Sequence, residues 1–71
     1  MTNTKALKER IKDQGLTFVY VAKELNITRE ALYGKLYDKS EFKASEILTL
    51  RNLLRLSPEE SDAIFFTELG E

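Results

Sequence analysis

The sequence predicts an all-α fold in which five short helices form one small domain. Apolar residues recur at helical spacing along most of the 71-residue chain. Residues typical of helix ends separate these stretches, namely Gly15 after the first and the run Ser-Pro-Glu-Glu at 57–60 before the last. A chain of this length has room for one small core. No shift in composition divides it, so residues 1–71 are expected to form a single domain.

Helix 1 is expected over Lys5 to Gln14. Leu7 and Ile11 lie four residues apart and would form its buried stripe. Thr4 is expected to cap the start of the helix, because a threonine hydroxyl can accept a bond from a free backbone N–H. Gly15 stands just past the expected end, where a left-handed backbone commonly closes a helix.

Helix 2 is expected over Phe18 to Leu25 and helix 3 over Arg29 to Tyr37. Thr17 and Thr28 precede them and are good N-cap residues. Asn26 interrupts the pattern between the two helices, because asparagine tolerates a left-handed backbone. The expected inward-facing positions of the two helices are Val21, Ala22, Leu25, Leu32 and Leu36.

Helix 4 is expected over Ala44 to Arg55, after a loop that Phe42 would hold against the core. Its expected apolar face consists of Ile47, Leu50, Leu53 and Leu54. Helix 5 should begin at Pro58, with Ser57 as N-cap and Glu60 closing a capping box. One ring of the pair Phe65–Phe66 should enter the core and the other should lie outside. The segments expected to fray are Met1 to Asn3 and Thr67 to Glu71.

The segment from Leu16 to Tyr37 has the pattern of a helix-turn-helix, over residues 17–37. Ala22 is small where the two helices would approach closely, and Ile27 is an apolar plug in the turn. The segment resembles the helix-turn-helix of the Xre and lambda-repressor-like regulators, and the similarity extends over roughly Leu7 to Phe66. The stretches LYGKLYDKSEFKASEI and LSPEESDAIFF look most like very small regulators of temperate phages in Gram-positive bacteria.

That resemblance implies a compact five-helix lambda-repressor-like domain that takes part in a phage genetic switch. Some regulators of this kind bind double-stranded operator DNA. Others resemble modulators of repression, which act together with a phage repressor. The family commonly dimerises through its last helix, so the resemblance also implies a possible homodimer, with Phe66 as a candidate contact. The fold alone does not decide between these partners.

Helix 3 would be the recognition helix if the chain binds DNA, with its first exposed residues facing base edges. By the family pattern Arg29 would pair with guanine and Glu30 with a cytosine amine. Lys35, Tyr37 and Lys39 would lie nearer the DNA backbone. The complete set of candidate DNA contacts is Thr28, Arg29, Glu30, Tyr33, Gly34, Lys35, Tyr37 and Lys39. A glycine inside a helix costs about 1 kcal/mol relative to alanine. Gly34 would be explained by a close approach of its backbone to DNA or to a partner protein, or by tolerated sequence drift.

The start of helix 2 departs from the family pattern. The family often has glutamine at the first position, where it holds a phosphate, but this chain has Phe18, followed by Val19 and Tyr20. So short a helix cannot bury all of its apolar residues on one stripe. Some of these three side chains should therefore be exposed, and they are candidates for a protein contact together with Glu30 and Phe66. Cover by helix 1 or the N-terminal arm is the alternative.

The charges are distributed unevenly along the chain. Residues 1–39 contain eight basic and five acidic side chains, a net charge of +3. Residues 40–71 contain three basic and seven acidic side chains, a net charge of −4, so the chain carries −1. A surface of +3 supplies only a weak attraction to phosphates. Ordinary solvated helix faces would explain the same distribution.

The composition excludes most site chemistry. There is no histidine and no cysteine, so zinc sites, disulfides and Cys-His or Ser-His catalysis are excluded. Glu59 and Glu60 are explained by the first turn of a helix, whose dipole favours negative charge. We expect no enzyme activity, no cofactor, no small-molecule substrate and no metal. We also expect no membrane span, and a location in the cytoplasm of a bacterial host.

Two functions remain open on the sequence. In the first, the chain is a transcription regulator that reads operator DNA through helix 3. In the second, it is an anti-repressor or modulator that binds the DNA-binding domain of a phage repressor, where Glu30 would pair with that domain's phosphate-binding cations. The two functions are compatible with each other in joint binding of DNA and repressor, and an antitoxin role is a more distant alternative.

Overall fold

The computed structural model describes residues 2–66 of the chain, and that range is helical without any β-strand. Its five α-helices are α1 (Thr4–Asp13), α2 (Phe18–Glu24), α3 (Arg29–Leu36), α4 (Ala44–Leu53) and α5 (Pro58–Phe65). The predicted all-α class with five helices is thereby confirmed. The predicted fraying of 67–71 lies outside the described residues.

One hydrophobic core joins all five helices. Its completely enclosed side chains include Leu7, Ile11, Val21, Leu32, Leu36, Leu50 and Leu54. Phe42 holds the α3–α4 loop to this core as predicted, because its ring packs edge-to-face on Phe65 with centroids 5.9 Å apart. Ile47 and Leu53 are only partly buried and line the border of the core.

Short polar side chains start most of the helices. Thr17, Thr28 and Ser57 each accept a hydrogen bond from a backbone N–H three residues later, as predicted. The prediction for helix 1 was wrong, because Asn3 and not Thr4 is its N-cap and accepts from the N–H of Ala6 at 3.1 Å. Asn3 is also anchored rather than frayed, since its own N–H donates to the carbonyl of Ile64 at 2.6 Å, which joins α1 to α5.

Helices α1 to α4 end in the same left-handed turn. In each, the residue after the C-cap has a positive φ and the following N–H bonds back to a carbonyl five residues earlier. The positive-φ residues are Gly15 (73°), Asn26 (60°), Asp38 (63°) and Arg55 (54°). This turn ends α1, α2 and α3 one residue earlier than predicted. Helix 4 was predicted to include Arg55, but the left-handed backbone there ends α4 at Leu53.

Arg10 fixes α1 to the connection between α4 and α5. Its guanidinium donates to the carbonyls of Leu54 (3.2 Å) and Arg55 (3.1 Å) and to the carboxylate of Glu60 (3.0 Å). The other carboxylate oxygen of Glu60 accepts from the N–H of Ser57, which completes the predicted capping box. The hydrogen bond from the Ser57 backbone, followed by the charge of Arg10, lowers the pKa of Glu60 below its ordinary value.

Candidate nucleic-acid and protein interface

Helices α2 and α3 pack directly on each other. The turn between them depends on Asn26, whose left-handed backbone lets the N–H of Ile27 reach the carbonyl of Ala22 at 3.0 Å. Thr28 then starts α3 through its hydroxyl. Ala22 is buried, in agreement with its predicted place at the close approach of the helices. The sequence thus correctly predicted the local chemistry of the turn.

An aromatic cluster, formed by Phe18, Tyr33 and Arg29, connects the start of α2 to α3. The rings of Phe18 and Tyr33 meet edge-to-face with centroids 5.9 Å apart, and the guanidinium of Arg29 lies 6.0 Å from the Tyr33 centroid. Phe18 is partly buried against the core and Tyr33 is exposed. Phe18, a candidate for protein contact, therefore lies against Tyr33, a candidate for DNA contact. The two sets of candidates share one surface.

Val19 and Tyr20 lie on the open side of α2. Their exposed fractions are 56% and 42%, so both side chains reach solvent and neither is enclosed by the rest of the fold. This agrees with the expectation that a short helix leaves part of this apolar run outside. We name these two residues the α2 pair. Together with the aromatic cluster, the α2 pair makes the start of α2 the more apolar side of the candidate interface.

The first turn of α3 is open to solvent. Arg29 and Glu30 are both exposed, next to the N-terminal end of the helix. The hydroxyl of Thr28 already accepts from the N–H of Ala31 at 3.0 Å, so its first role is to cap the helix. Lys39 is exposed just beyond the other end of α3. Of the residues predicted to touch DNA, the charged ones that remain accessible thus stand at the two ends of the helix.

Lys35 has a structural role that the sequence analysis did not foresee. Its ammonium donates to the carbonyl of Glu41 at 2.9 Å and lies 3.3 Å from the carboxylate of Glu46. Only 10% of the Lys35 side chain and 8% of the Glu46 side chain are exposed. The ammonium also lies 5.8 Å from the centroid of the Phe42 ring. The ammonium of Lys35 is therefore held inside the fold, which argues against the expected contact of Lys35 with the DNA backbone.

Glu46 satisfies two partners at once. Besides facing Lys35, its carboxylate accepts a hydrogen bond from the backbone N–H of Lys43, the N-cap of α4, at 2.8 Å. The sequence offered a weak signal for this role, since Glu46 stands three residues after the cap, as the acid of a capping box does. The signal was missed because lysine has no acceptor group and does not look like a cap.

Gly34 lies in the middle of α3 without an internal packing reason. A Cβ placed there would meet one side-chain atom of the described residues, the Cβ of Lys39, at an ordinary contact distance of 3.9 Å. Its backbone is helical, so no left-handed conformation requires glycine either. Nothing in the described structure therefore accounts for this glycine.

Two further aromatic residues are largely exposed, Tyr37 and Phe66. The ring of Tyr37 is 60% exposed and carries the ammonium of Lys8 at 4.5 Å from its centroid. Phe66 is 57% exposed while its neighbour Phe65 is buried, which confirms that one ring of this pair enters the core and the other does not. Phe66 and the exposed Leu48 line a groove of about 430 Å³ between α4 and α5.

The basic character of residues 1–39 is weaker at the surface than the sequence indicated. Two of the eight cations in that range are used inside the fold, Arg10 on helix-end carbonyls and Glu60, and Lys35 on Glu41 and Glu46. Binding to nucleic acid depends on the number of cations that can meet phosphates. The structure therefore reduces the electrostatic argument for DNA on which the sequence analysis relied.

Within the described residues, no group of three or more acidic, histidine or cysteine side chains is arranged to hold a metal ion. None of the helices in that part of the chain has the length and apolar character needed to cross a membrane. The sequence matches no protein-family model and no curated protein. The resemblance to the Xre and lambda-repressor-like regulators therefore stays a prediction from the residue pattern.

Proposed function

We propose that this chain is a small regulator of a phage or prophage switch that acts by binding another regulator through the start of α2 and the exposed side of α3. The observation that carries the proposal is the exposure of the α2 pair, Val19 and Tyr20, on the same short helix as Phe18, whose ring packs on Tyr33 of α3. Exposed apolar residues that adjoin one another are typical of a protein contact. Tyrosine and arginine are also among the residues most enriched at binding hot spots.

The same surface is poorly suited to a DNA duplex. A DNA interface is polar and strongly positive, and its affinity comes mainly from phosphate contacts. Here Phe18 stands where the family pattern has a phosphate-holding glutamine, and Lys35 is held by acidic and carbonyl groups of the fold. The protein-binding alternative of the sequence analysis is therefore the better supported of the two.

The proposed partner is the DNA-binding domain of a phage repressor. Such a domain presents cations that hold phosphates, and Glu30 is an exposed anion in the first turn of α3 that would pair with one of them. The partner's own apolar residues would cover Val19 and Tyr20. Binding in this way would occupy the surface that the repressor uses on its operator and so prevent operator binding.

Direct reading of operator DNA is the second candidate function. It is favoured by the open first turn of α3, where Arg29 and Glu30 are exposed, and by the exposed Lys39 beyond its end. In this mode Arg29 would contact a guanine edge and Lys39 a phosphate. Joint binding of DNA with the repressor would combine both functions.

A gel-shift experiment separates the two functions. DNA that flanks the gene of this protein is incubated with the protein alone, with the adjacent repressor alone, and with both. For the proposed modulator we expect no shift by the protein alone, and loss or supershift of the repressor complex when it is added. A specific, salt-sensitive shift by the protein alone would instead support direct operator binding.

Two substitutions assign the surface. Tyr20→Ala should weaken the effect on the repressor by about tenfold or more, the range of an interface hot spot. Leu48→Ala is its matched control, because it removes a similarly exposed apolar side chain from α4. Arg29→Ala should abolish a direct operator complex, and Lys5→Ala is its control on α1. If Tyr20→Ala behaves like Leu48→Ala, the proposed surface is wrong.

A further inference from the structure

A groove of about 410 Å³ lies between α1 and the start of α2. Leu16 and Phe18 supply its apolar wall, and Lys8, Glu9 and Lys12 of α1 line the opposite side. We infer that this groove binds an acidic segment of a partner protein that carries an apolar side chain. The apolar side chain would pack on Leu16 and Phe18, and carboxylates would pair with Lys8 and Lys12.

The charges of the groove favour an acidic segment. Lys8 and Lys12 are four residues apart on α1, so both ammonium groups rise from one face of the helix. Glu9 is the one acidic residue of the lining, which leaves a net charge of +1 beside an apolar wall. The ammonium of Lys8 is also held near the Tyr37 ring, at 4.5 Å from its centroid. An anchored cation loses less conformational entropy on binding a carboxylate than a free one does.

The form of the groove favours a protein segment over a small molecule. Sites for small ligands bury most of the ligand surface in a cleft or cavity. This groove is open to solvent, so a small ligand would stay largely exposed in it. A segment of a partner protein is also held by the rest of the protein–protein interface. Such a segment needs to place only one side chain in this open groove.

The groove continues into the surface of the proposed function. Phe18 lines the groove and also touches Tyr33 in the aromatic cluster. In naming the same partner, this inference depends on the proposed function: the repressor domain would meet the α2 pair and insert an acidic segment beside α1. The groove as a binding site for such a segment is tested without the repressor.

The probe is a synthetic peptide with the sequence EELFEE, added to the full-length chain labelled with ¹⁵N. We expect saturable changes in the amide signals of Lys8, Lys12, Leu16 and Phe18 that weaken with added salt. The peptide QQLFQQ, which lacks the carboxylates, should bind at least about fivefold more weakly, the value of one or two exposed ion pairs. The double variant Lys8→Glu/Lys12→Glu should lose at least as much affinity for EELFEE.

Lys5→Glu/Lys23→Glu is the matched control, because both lysines are exposed on α1 and α2 but lie outside the groove. It changes the net charge equally and should alter the affinity by less than about twofold. Equal losses in the two double variants would show attraction to net charge only and would overturn the inference. The absence of these signal changes at millimolar peptide would overturn it too. Changes of the same signals when the protein alone is diluted would mean that a second copy fills the groove, which also contradicts the inference.

Failure here and failure of the proposed function are distinguishable. If EELFEE binds the groove while the protein neither removes nor supershifts the repressor complex, the groove stands and the proposed function falls. If Tyr20→Ala abolishes the repressor effect while Lys8→Glu/Lys12→Glu does not change it and EELFEE does not bind, the proposed function stands without this groove.

Discussion

The two ends of α3 are used in opposite ways. At its N-terminal end Arg29, Glu30 and Tyr33 are exposed, and the Tyr33 ring meets Phe18 edge-to-face. Toward its C-terminal end Lys35 is enclosed and holds the α3–α4 loop through Glu41 and Glu46. One cation of the helix is thus available to a partner and another is committed to the fold. A charged residue counted in the sequence therefore does not always contribute its charge to the binding surface.

A second contrast lies between the two ion pairs of the described residues. Lys35–Glu46 is almost completely enclosed, whereas Arg10–Glu60 has exposed fractions of 26% and 45%. In both, a cation from the basic part of the chain meets an acid from the acidic part. Part of the charge asymmetry along the sequence therefore holds the fold together. The enclosed pair should be the more sensitive of the two to losing one partner.

The largest expected effect tests the enclosed end of α3. Lys35→Ala should lower the free energy of unfolding by about 3 kcal/mol, because it leaves the Glu46 carboxylate enclosed without its cation. For a domain of this size that corresponds to a fall in melting temperature of roughly 12–24 °C. Lys39→Ala, at an exposed position nearby, should change stability by less than about 0.5 kcal/mol. Thermal denaturation followed by circular dichroism measures both, and equal effects would show that the enclosed pair is not important for stability.

A gain in stability is expected at the middle of the helix. Gly34→Ala should stabilise the protein by about 1 kcal/mol, since alanine favours the helix. The added Cβ meets only an ordinary contact with Lys39. Urea denaturation gives the stability, and the gel shift gives the activity of the same variant. Unchanged activity would show that no partner approaches the backbone at Gly34, whereas a gain in stability with a loss of activity would place the partner against it.

The smallest effect on stability is expected at the partly exposed ion pair Arg10–Glu60, and this effect depends on pH. The pKa of Glu60 is lowered in the folded protein, so its carboxylate stabilises the fold above the unfolded value near 4.5. That stabilisation is lost as the pH falls below this value and through the folded pKa. The stability difference between the wild type and Glu60→Gln should therefore shrink from pH 6 toward pH 3. Glu59→Gln, at the exposed neighbour, is the control, and a difference that stays constant with pH would contradict the assignment to the Glu60 carboxylate.

Local chemistry made much of the fold predictable. The hydroxyls of Thr17, Thr28 and Ser57 and the backbone of Asn26 act within three or four residues of their own position. Such interactions are encoded by neighbouring letters of the sequence. The exposure of Val19 and Tyr20 was predictable for a similar reason, because a short helix has only one inward-facing stripe.

Contacts between distant residues were not predictable in the same way. Arg10 meets Glu60 across 50 residues, and Lys35 of α3 meets Glu46 of α4. No spacing rule selects these partners, so both cations were counted in the net charge of +3, and Lys35 was expected to contact the DNA backbone. The groove beside Lys8 and Lys12 was missed for the same reason, because it forms only when α1 packs beside Leu16 and Phe18. The exposure of the site residues on α2 was thus predictable from the sequence, whereas that of the residues on α3 was predictable only in part.

The hydrogen bond between the N–H of Asn3 and the carbonyl of Ile64 makes the described chain nearly a closed ring. A linker of a few residues from Phe66 to Asn3 would be enough to connect the ends of the described chain without removing the core residue Phe65, and the chain could then be opened in the exposed loop around Ser40. Such a circular permutant would keep α2 and α3 contiguous. It would also move any attached label to the α3–α4 loop, so the same regulator could be tethered at either of two places without cutting its candidate binding surface.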